Sequence, residues 1–190
     1  MNVEIAPLIT AVALAFIGYL ITYWNSLQLA NRKEQLDLVN KRINEFYGPL
    51  YVTTQAGNIA YKALLKKLGR EKIFDRTSKS PLPDEKVIAE WRTWLLSVFM
   101  PLNELREKII LEDAYLIREE KMPECFFQFI THVSAYKAIL KKWEMNDFSE
   151  YIPLISFPAE LDSYAETSYK ELKAEQLRLI GKISSARSKR

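Results

Sequence analysis

An uncharged N-terminal run of 27 residues, from Ile5 to Asn31, constrains the fold of this 190-residue chain more than any other feature. Residues 5–24 of this run are almost all apolar. A helix needs about 20 such residues to cross the hydrocarbon core of a bilayer, which is about 30 Å thick. We therefore predict a transmembrane helix in residues 1–31, a membrane-proximal helix in residues 32–48, and a cytoplasmic helical-bundle domain in residues 49–190 that ends in a basic tail.

The charges beside the run predict its orientation. Glu4 is the one charged side chain before it, whereas the basic residues Arg32, Lys33, Lys41 and Arg42 follow it. Lys and Arg concentrate on the cytoplasmic side of membrane spans. The start of the chain also lacks the basic region and cleavage site of a signal peptide. We therefore expect a single-pass protein with its N-terminus outside. The single cysteine, Cys125, excludes an intrachain disulfide, as in a reducing compartment.

A heptad-like stripe runs along this helix and predicts self-association. Its members follow one another at alternating spacings of four and three: Ala11, Ala15, Gly18, Thr22, Asn25, Leu29, Arg32, Leu36, Val39, Ile43 and Phe46. Small residues let helices approach closely in lipid, whereas large apolar residues drive association in water. The predicted oligomer interface comprises Ala11, Ala15, Gly18, Leu29, Leu36, Val39 and Ile43. In the alternative, the helix is a simple anchor and its aqueous end packs on the chain's own domain.

Polar residues gather at the cytoplasmic end of the span. Thr22, Asn25 and Ser26 lie there, whereas the middle of the span is almost wholly apolar. If several copies surround a pore, the least lipid-like residues should face the water-filled lumen. We therefore predict that Thr22, Asn25 and Ser26 line the inner mouth of a pore with an apolar constriction.

The remaining sequence predicts an all-α domain, a bundle of four or five helices. The second helix should run from Leu50 to Leu68 and stop at Gly69, and Pro49 should end or kink the helix before it. Residues 70–83 read as an exposed loop, Asp84 as the start of the third helix and Pro123 as the start of the fourth. A last helix should cover residues 159–183. The residues expected to face inward on the second helix are Val52, Ala56, Ile59, Ala60, Ala63 and Leu64.

Few residues suit catalysis. One histidine and one cysteine do not make a metal site, and no glycine-rich phosphate loop is present, so we predict no metal and no cofactor.

Asn58, Asn103 and His132 lie beside apolar helical turns. They should be buried and hydrogen-bonded, either as a structural polar network or as part of a functional cleft. Basic clusters near residues 66–79 and 178–190 suit a solvated surface, anionic lipid or RNA.

Four short motifs resemble those of a known family. They are the run RINEFYGPLY at residues 42–51, Trp91-x2-Trp94, Met100-Pro-Leu-Asn103, and Met122-Pro-x5-Phe129-x2-His132. Their order after an N-terminal span resembles the membrane accessory protein of type VI-B CRISPR systems. The resemblance implies a divergent HEPN-like domain that assembles as a ring around a pore in the bacterial inner membrane. It implies a role in antiviral defence beside an RNA-guided RNase, with the bilayer, other copies, and the effector nuclease or RNA as partners.

The sequence departs from that family's ribonuclease pattern. HEPN ribonucleases carry Arg-x4–6-His, but the matching positions before His132 hold Phe127, Phe126 and Cys125. Without the arginine, cleavage lacks its phosphate-stabilising group. We therefore predict no catalytic residues and a structural role for His132. Two alternatives stay open: a membrane-tethered HEPN-type RNase, and a simple anchor or scaffold that recruits a partner protein.

Overall fold

The fold is all-α, as predicted. The computed structural model describes residues 5–74 and 83–187, and all regular structure in these ranges is helical. The elements are α1 (Ile5–Lys41), a first π-helical segment (Arg42–Tyr47), α2 (Gly48–Leu68), α3 (Glu85–Trp94), a second π-helical segment (Leu95–Phe99), α4 (Met100–Glu112), a 3-10 turn (Ala114–Leu116), α5 (Glu124–Glu144) and α6 (Glu160–Arg187).

The chain divides into two compact units. The first comprises Met1–Asn40 with Lys173–Arg190, and the second comprises Lys41–Leu172. In the first unit, Gln176 Nε2 donates a hydrogen bond of 2.6 Å to Asn40 Oδ1. Val39 and Leu179 are buried in this unit. Its N-terminal helix is therefore tied to the C-terminal helix near the end of α1.

The core of the second unit is built from aromatic and aliphatic side chains of every helix in it. The ring centroids of Phe46 and Phe126 lie 5.9 Å apart in an edge-to-face arrangement, which favours aromatic pairs beyond their burial alone. The largest fully buried side chains of the unit are Tyr47, Phe46, Phe126, Phe129, Leu50, Leu64, Leu95, Ile110, Leu116, Leu161, Leu172 and Val133. This core positions the cavity described below.

Pro49 and Pro101 do not end their helices. A proline inside a helix donates no backbone hydrogen bond and clashes with the carbonyl four residues earlier. Here each proline follows a π-helical segment, in which Gly48 N–H bonds to the Ile43 carbonyl and Met100 N–H to the Leu95 carbonyl, five residues back. The wider turn accommodates the proline, and the helical backbone continues from Leu8 to Leu68.

The predicted inward face of α2 is wrong except at Leu64, which is buried, and Ala60, which is half-buried. Val52 and Ile59 are 62% and 67% exposed, and the alanines of the same stripe, Ala56 and Ala63, are exposed as well. The buried face instead consists largely of small and polar residues: Leu50, Thr53, Thr54 and Leu64 are buried, and Gly57 and Asn58 are half-buried. Polar side chains can face inward here because Thr53 and Asn58 have hydrogen-bond acceptors within the unit.

The helix boundaries follow local signals closely. Gly69 ends α2 with a left-handed φ of 62°, and the Asp84 carboxylate caps α3 by accepting a hydrogen bond from Val87 N. The exposed-loop prediction for residues 70–83 is wrong at Ile73, which is buried and lines a cavity; residues 75–82 lie outside the described ranges. Pro123 precedes α5 as its cap residue.

Candidate functional site

The N-terminal helix is long and apolar enough to span a membrane. Within Leu8–Leu68, the most apolar window of 18 residues has none of its residues buried. Large apolar side chains such as Leu14, Phe16 and Trp24 are each at least 60% exposed. Soluble proteins rarely expose apolar patches larger than a few hundred Å², and larger ones are typical of surfaces that contact a membrane or another protein.

The predicted interface residues divide into two groups. Ala11, Ala15 and Gly18 are exposed, and a Cβ added at Gly18 would meet no atom within 4 Å. Val39 and Ile43 are only 3% and 7% exposed. At these two positions the chain itself supplies the burial, which is the alternative considered for the aqueous end of the stripe. Leu29 and Leu36 are half-buried.

The predicted pore-lining residues are all exposed. Thr22 Oγ1 donates a hydrogen bond of 2.9 Å to the Gly18 carbonyl, so its polar group is satisfied within the helix. Asn25 and Ser26 are exposed at the end of the apolar stretch. Of the three, Asn25 carries the largest polar group that could face water in a lumen.

A cavity of about 350 Å³ lies within the second unit, among α2, α3, the second π-helical segment, α4, α5 and the segment before α6. Its volume is at the small end of the range for ligand pockets. It brings together Asn58, Asn103 and His132, the three polar residues singled out from the sequence. The full lining is Gly57, Asn58, Tyr61, Ile73, Phe74, Trp91, Leu95, Phe99, Asn103, Arg106, His132, Tyr136, Ile152, Ser156 and Phe157.

Arg106 supplies a buried positive charge to this cavity. Its side chain is 3% exposed, and its guanidinium carbon lies 5.3 Å and 5.6 Å from the ring centroids of Phe129 and Phe157. Nε donates to the Leu102 carbonyl at 3.2 Å. Burial lowers the pKa of Arg106 to about 10, and the Asp162 carboxylate opposes that shift. The guanidinium is therefore still charged at neutral pH.

Asp162 and Asn58 form a hydrogen-bonded polar pair near this arginine. Asn58 Nδ2 donates a hydrogen bond of 2.9 Å to Asp162 Oδ2, and Asp162 Oδ1 is buried with no hydrogen-bond partner in the described part of the chain. Burial raises the pKa of Asp162, although the Asn58 hydrogen bond and the Arg106 charge act in the opposite direction. The two charged groups influence each other without a direct ion pair within 4 Å.

His132 and Asn103 are buried on the cavity wall. His132 Nδ1 lies 2.7 Å from the Ile155 carbonyl oxygen, so Nδ1 carries the proton in this contact. The His132 ring also packs edge-on against Tyr136 and Phe157. Among the residues that the structure describes, Asn103 Nδ2 donates a hydrogen bond only to the Met100 sulfur, at 4.0 Å. His132 is thus held firmly by its surroundings, whereas the Asn103 amide retains hydrogen-bonding capacity.

Aromatic rings form the apolar part of the wall. The Trp91 and Phe99 centroids are 5.6 Å apart, with Phe74 edge-on to Trp91 at 5.6 Å. Tyr61 packs against Phe99 from α2. Flat apolar surfaces therefore share the cavity with the polar groups of α4 and α5.

Sequence reasoning missed Arg106 and Asp162. A signal for Arg106 was present, because it follows Asn103 by three residues and so shares its face of α4. Leu102, four residues before it, and Ile109, three residues after it, also lie on the same side of a helix. Asp162 carried no such signal, since it lies near the start of a helix rich in charged residues.

The cavity also bears on the missing ribonuclease motif. An arginine and a histidine line it, but they come from different helices, α4 and α5. The His132 nitrogen bonded to Ile155 is occupied, and no second histidine exists in the sequence. One copy of the chain therefore does not hold the pair of histidines that such cleavage uses.

Comparison with known proteins adds no family. No protein-family model matches the chain, and no curated protein or solved structure matches it either.

Proposed function

We propose that this chain is a single-span protein of the bacterial inner membrane whose copies assemble through their N-terminal helices into a ring around a pore. The pore depolarises or permeabilises the membrane in antiviral defence, and so enhances an RNA-guided RNA-targeting CRISPR effector, as the family resemblance implies. The supporting observation is the apolar stretch from Leu8 to Leu27, whose large side chains are all exposed.

The energetics of that stretch support insertion into lipid. Burying one large aliphatic or aromatic side chain is worth about 1.5–3 kcal/mol. Leaving this helix in water would therefore cost more than the whole stability of a typical domain, which is about 5–15 kcal/mol. A bilayer removes this cost without any partner, so insertion comes first and helix association follows within the membrane.

The small-residue part of the stripe supports association within the membrane. Ala11, Ala15 and Gly18 recur on one face of α1, and the space beside Gly18 is open. In lipid, close backbone approach at such residues gives van der Waals contact that larger side chains prevent. The contact region we assign to self-association is therefore residues 11–18, without Val39 and Ile43.

The test of assembly is the particle size of the detergent-purified chain by native mass spectrometry or light scattering. We expect wild type to form one discrete high oligomer and Gly18→Leu to form smaller particles. Ala13→Leu is the matched control, because it adds similar bulk on a different face of the same helix and should leave the particle unchanged. A wild-type monomer or dimer would contradict the ring and favour the anchor.

The test of the pore is ion flux in liposomes. Asn25→Asp should shift selectivity toward cations without changing particle size, because a charge at the inner mouth attracts counter-ions. Asn31→Asp introduces the same charge beyond the predicted mouth and should have little effect. Absence of flux in wild type, or equal selectivity in all three proteins, would contradict a lumen at Asn25.

The RNase alternative has one observation in its favour, the presence of Arg106 and His132 on the same cavity. It is tested by incubating the purified chain with single-stranded RNA in the absence of metal. We expect no cleavage. Cleavage that disappears in His132→Asn, with the fold intact by circular dichroism, would replace the pore proposal with the RNase.

A further inference from the structure

The guanidinium of Arg106 has unused hydrogen-bonding capacity inside the cavity. Its Nε is bonded to Leu102, but neither Nη atom has a hydrogen-bond or ion-pair partner within residues 5–74 and 83–187. A buried charge without such partners is costly in a protein interior, and residues of this kind cluster at functional sites. The arginine therefore points to a ligand rather than to a structural ion pair.

The charge around Arg106 limits what that ligand can be. One guanidinium faces the cavity, and the Asp162 carboxylate lies close enough to influence it. A planar guanidinium binds carboxylate-like oxyanions through two parallel hydrogen bonds. A second negative charge on the ligand would be opposed by Asp162, so a single negative charge is favoured.

The rest of the wall limits the body of the ligand. Trp91, Phe99, Phe74 and Tyr61 line the same cavity and offer flat apolar surfaces. Flat rings pack well on such surfaces, gaining stacking energy beyond burial. The Asn103 amide adds a donor and an acceptor near the arginine, since the two residues lie one turn apart on α4.

We propose that this cavity binds a small aromatic monoanion, whose oxyanion is held by Arg106 and Asn103 and whose ring lies against Trp91 and Phe99. This site is independent of the proposed pore, because all its residues belong to the second unit and its test measures binding alone.

The first experiment is isothermal titration calorimetry of the full detergent-solubilised chain with four probes. They are naphthoate, neutral naphthamide, acetate and naphthyl phosphate. Naphthoate should bind at least about tenfold more tightly than naphthamide, which lacks the charge, and than acetate, which lacks the ring. Naphthyl phosphate, which is close to doubly charged, should bind more weakly than naphthoate. Equal affinity for naphthoate and naphthamide, tighter phosphate binding, or no binding of naphthoate would overturn the proposal.

The second experiment tests whether Arg106 is the group that binds the carboxylate of naphthoate. Arg106→Met should weaken naphthoate binding at least about tenfold and leave naphthamide binding nearly unchanged. Arg92→Met is the matched control, because Arg92 also stacks on two rings, those of Trp143 and Phe148, but does not line the cavity. Equal loss in both variants, or no loss in Arg106→Met, would overturn the assignment.

A glycine variant tests the role of Arg106 independently, in case Arg106→Met does not fold. A Cβ added at Gly57 would lie 2.9 Å from Arg106 Nη2, so Gly57→Ala should displace the guanidinium while the helix itself is strengthened by the alanine. Naphthoate affinity should fall several-fold with the fold retained. Gly181→Ala makes the same change in α6, where a Cβ meets nothing within 4 Å, and should leave affinity unchanged. Unchanged affinity in Gly57→Ala would count against Arg106 as the anion-binding group.

Discussion

Two stretches of the same continuous helix use apolar residues differently. From Leu8 to Leu27, large apolar side chains cover the helix and all are exposed. From Leu50 to Leu64, apolar residues again form a stripe, but the side that is buried carries threonines, a glycine and an asparagine. Hydrophobicity thus makes the first stretch long and apolar enough to span a membrane, whereas in the second stretch it does not indicate which face is buried.

The largest expected effect tests which face of α2 is buried. Leu50 is 0% exposed, so Leu50→Ala should lower the free energy of unfolding by about 2–5 kcal/mol through lost burial and a cavity. Val52→Ala, two residues away on the exposed face, should change it by less than about 0.5 kcal/mol. Urea unfolding of the detergent-solubilised variants measures both. Similar losses in the two variants would mean that the exposed stripe is covered in the folded protein.

The next effect concerns two adjacent threonines on the buried side of α2. Thr53 Oγ1 donates to the Pro49 carbonyl at 2.8 Å, whereas Thr54 Oγ1 is buried without a hydrogen-bond partner in the described ranges. Thr54→Val should therefore raise stability by about 1 kcal/mol, and Thr53→Val should lower it by a similar amount. Thermal unfolding distinguishes them by sign. A loss in both would indicate a hidden partner for Thr54.

A smaller effect on stability, which depends on pH, is expected at Asp162, the residue that accepts the hydrogen bond from Asn58. Because the folded-state pKa of Asp162 is raised above its ordinary value near 3.9, the charged carboxylate costs folding free energy at neutral pH. Asp162→Asn should therefore stabilise the fold at pH 7. This advantage should shrink as the pH falls through the raised pKa, where the wild-type carboxyl becomes neutral.

A control for this pH dependence is Asp147. Its pKa is lowered, chiefly by hydrogen bonds with Ser149, so its contribution to stability has the opposite sign and is lost in acid. Unfolding curves of Asp162→Asn and Asp147→Asn at neutral and acidic pH test the contrast. An advantage of Asp162→Asn that persists unchanged in acid would mean that charge is not its cause.

The smallest effect on stability is expected at Ile59. Because it is 67% exposed, Ile59→Ser should change the free energy of unfolding by at most about 0.5 kcal/mol. If the exposed stripe contacts a second copy, the same variant should reduce particle size in native mass spectrometry, whereas Lys62→Ser on a polar part of α2 should not. An unchanged particle would restrict self-association to the membrane stretch.

The sequence predicts the fold well where the signal is local. The αL position of Gly69 and the cap at Asp84 follow from backbone chemistry within one turn, and both predictions are confirmed. The buried side of α2 depends on tertiary contacts instead. Asn58 faces inward because Asp162, 104 residues away, accepts its hydrogen bond. No local pattern contains that pairing.

Only part of the candidate site could be predicted, again because some of its signals are local in sequence and others depend on tertiary contacts. Asn103 and His132 stand out as polar residues among apolar turns, and the structure places both on one cavity. Arg106 shares the face of Asn103 on α4, but that position does not predict its burial, since a charged residue in a helix is usually solvated and its long side chain can reach water. Its burial depends on stacking against Phe129 and Phe157, which come from other parts of the chain.

The second π-helical segment determines which side of the helix faces the cavity before and after it. Trp91, Leu95, Phe99 and Asn103 follow one another in steps of four, and all line the same cavity. In a uniform α-helix each step of four overshoots a full turn by about 40°, so three steps would rotate Asn103 away by about 120°. The wide turn holds an extra residue and cancels much of this drift. Deleting the exposed Ser97 would leave 11 steps of about 100° between Trp91 and Asn103, which close three turns to within about 20°, so the side chains beyond the deletion would keep their side of the helix.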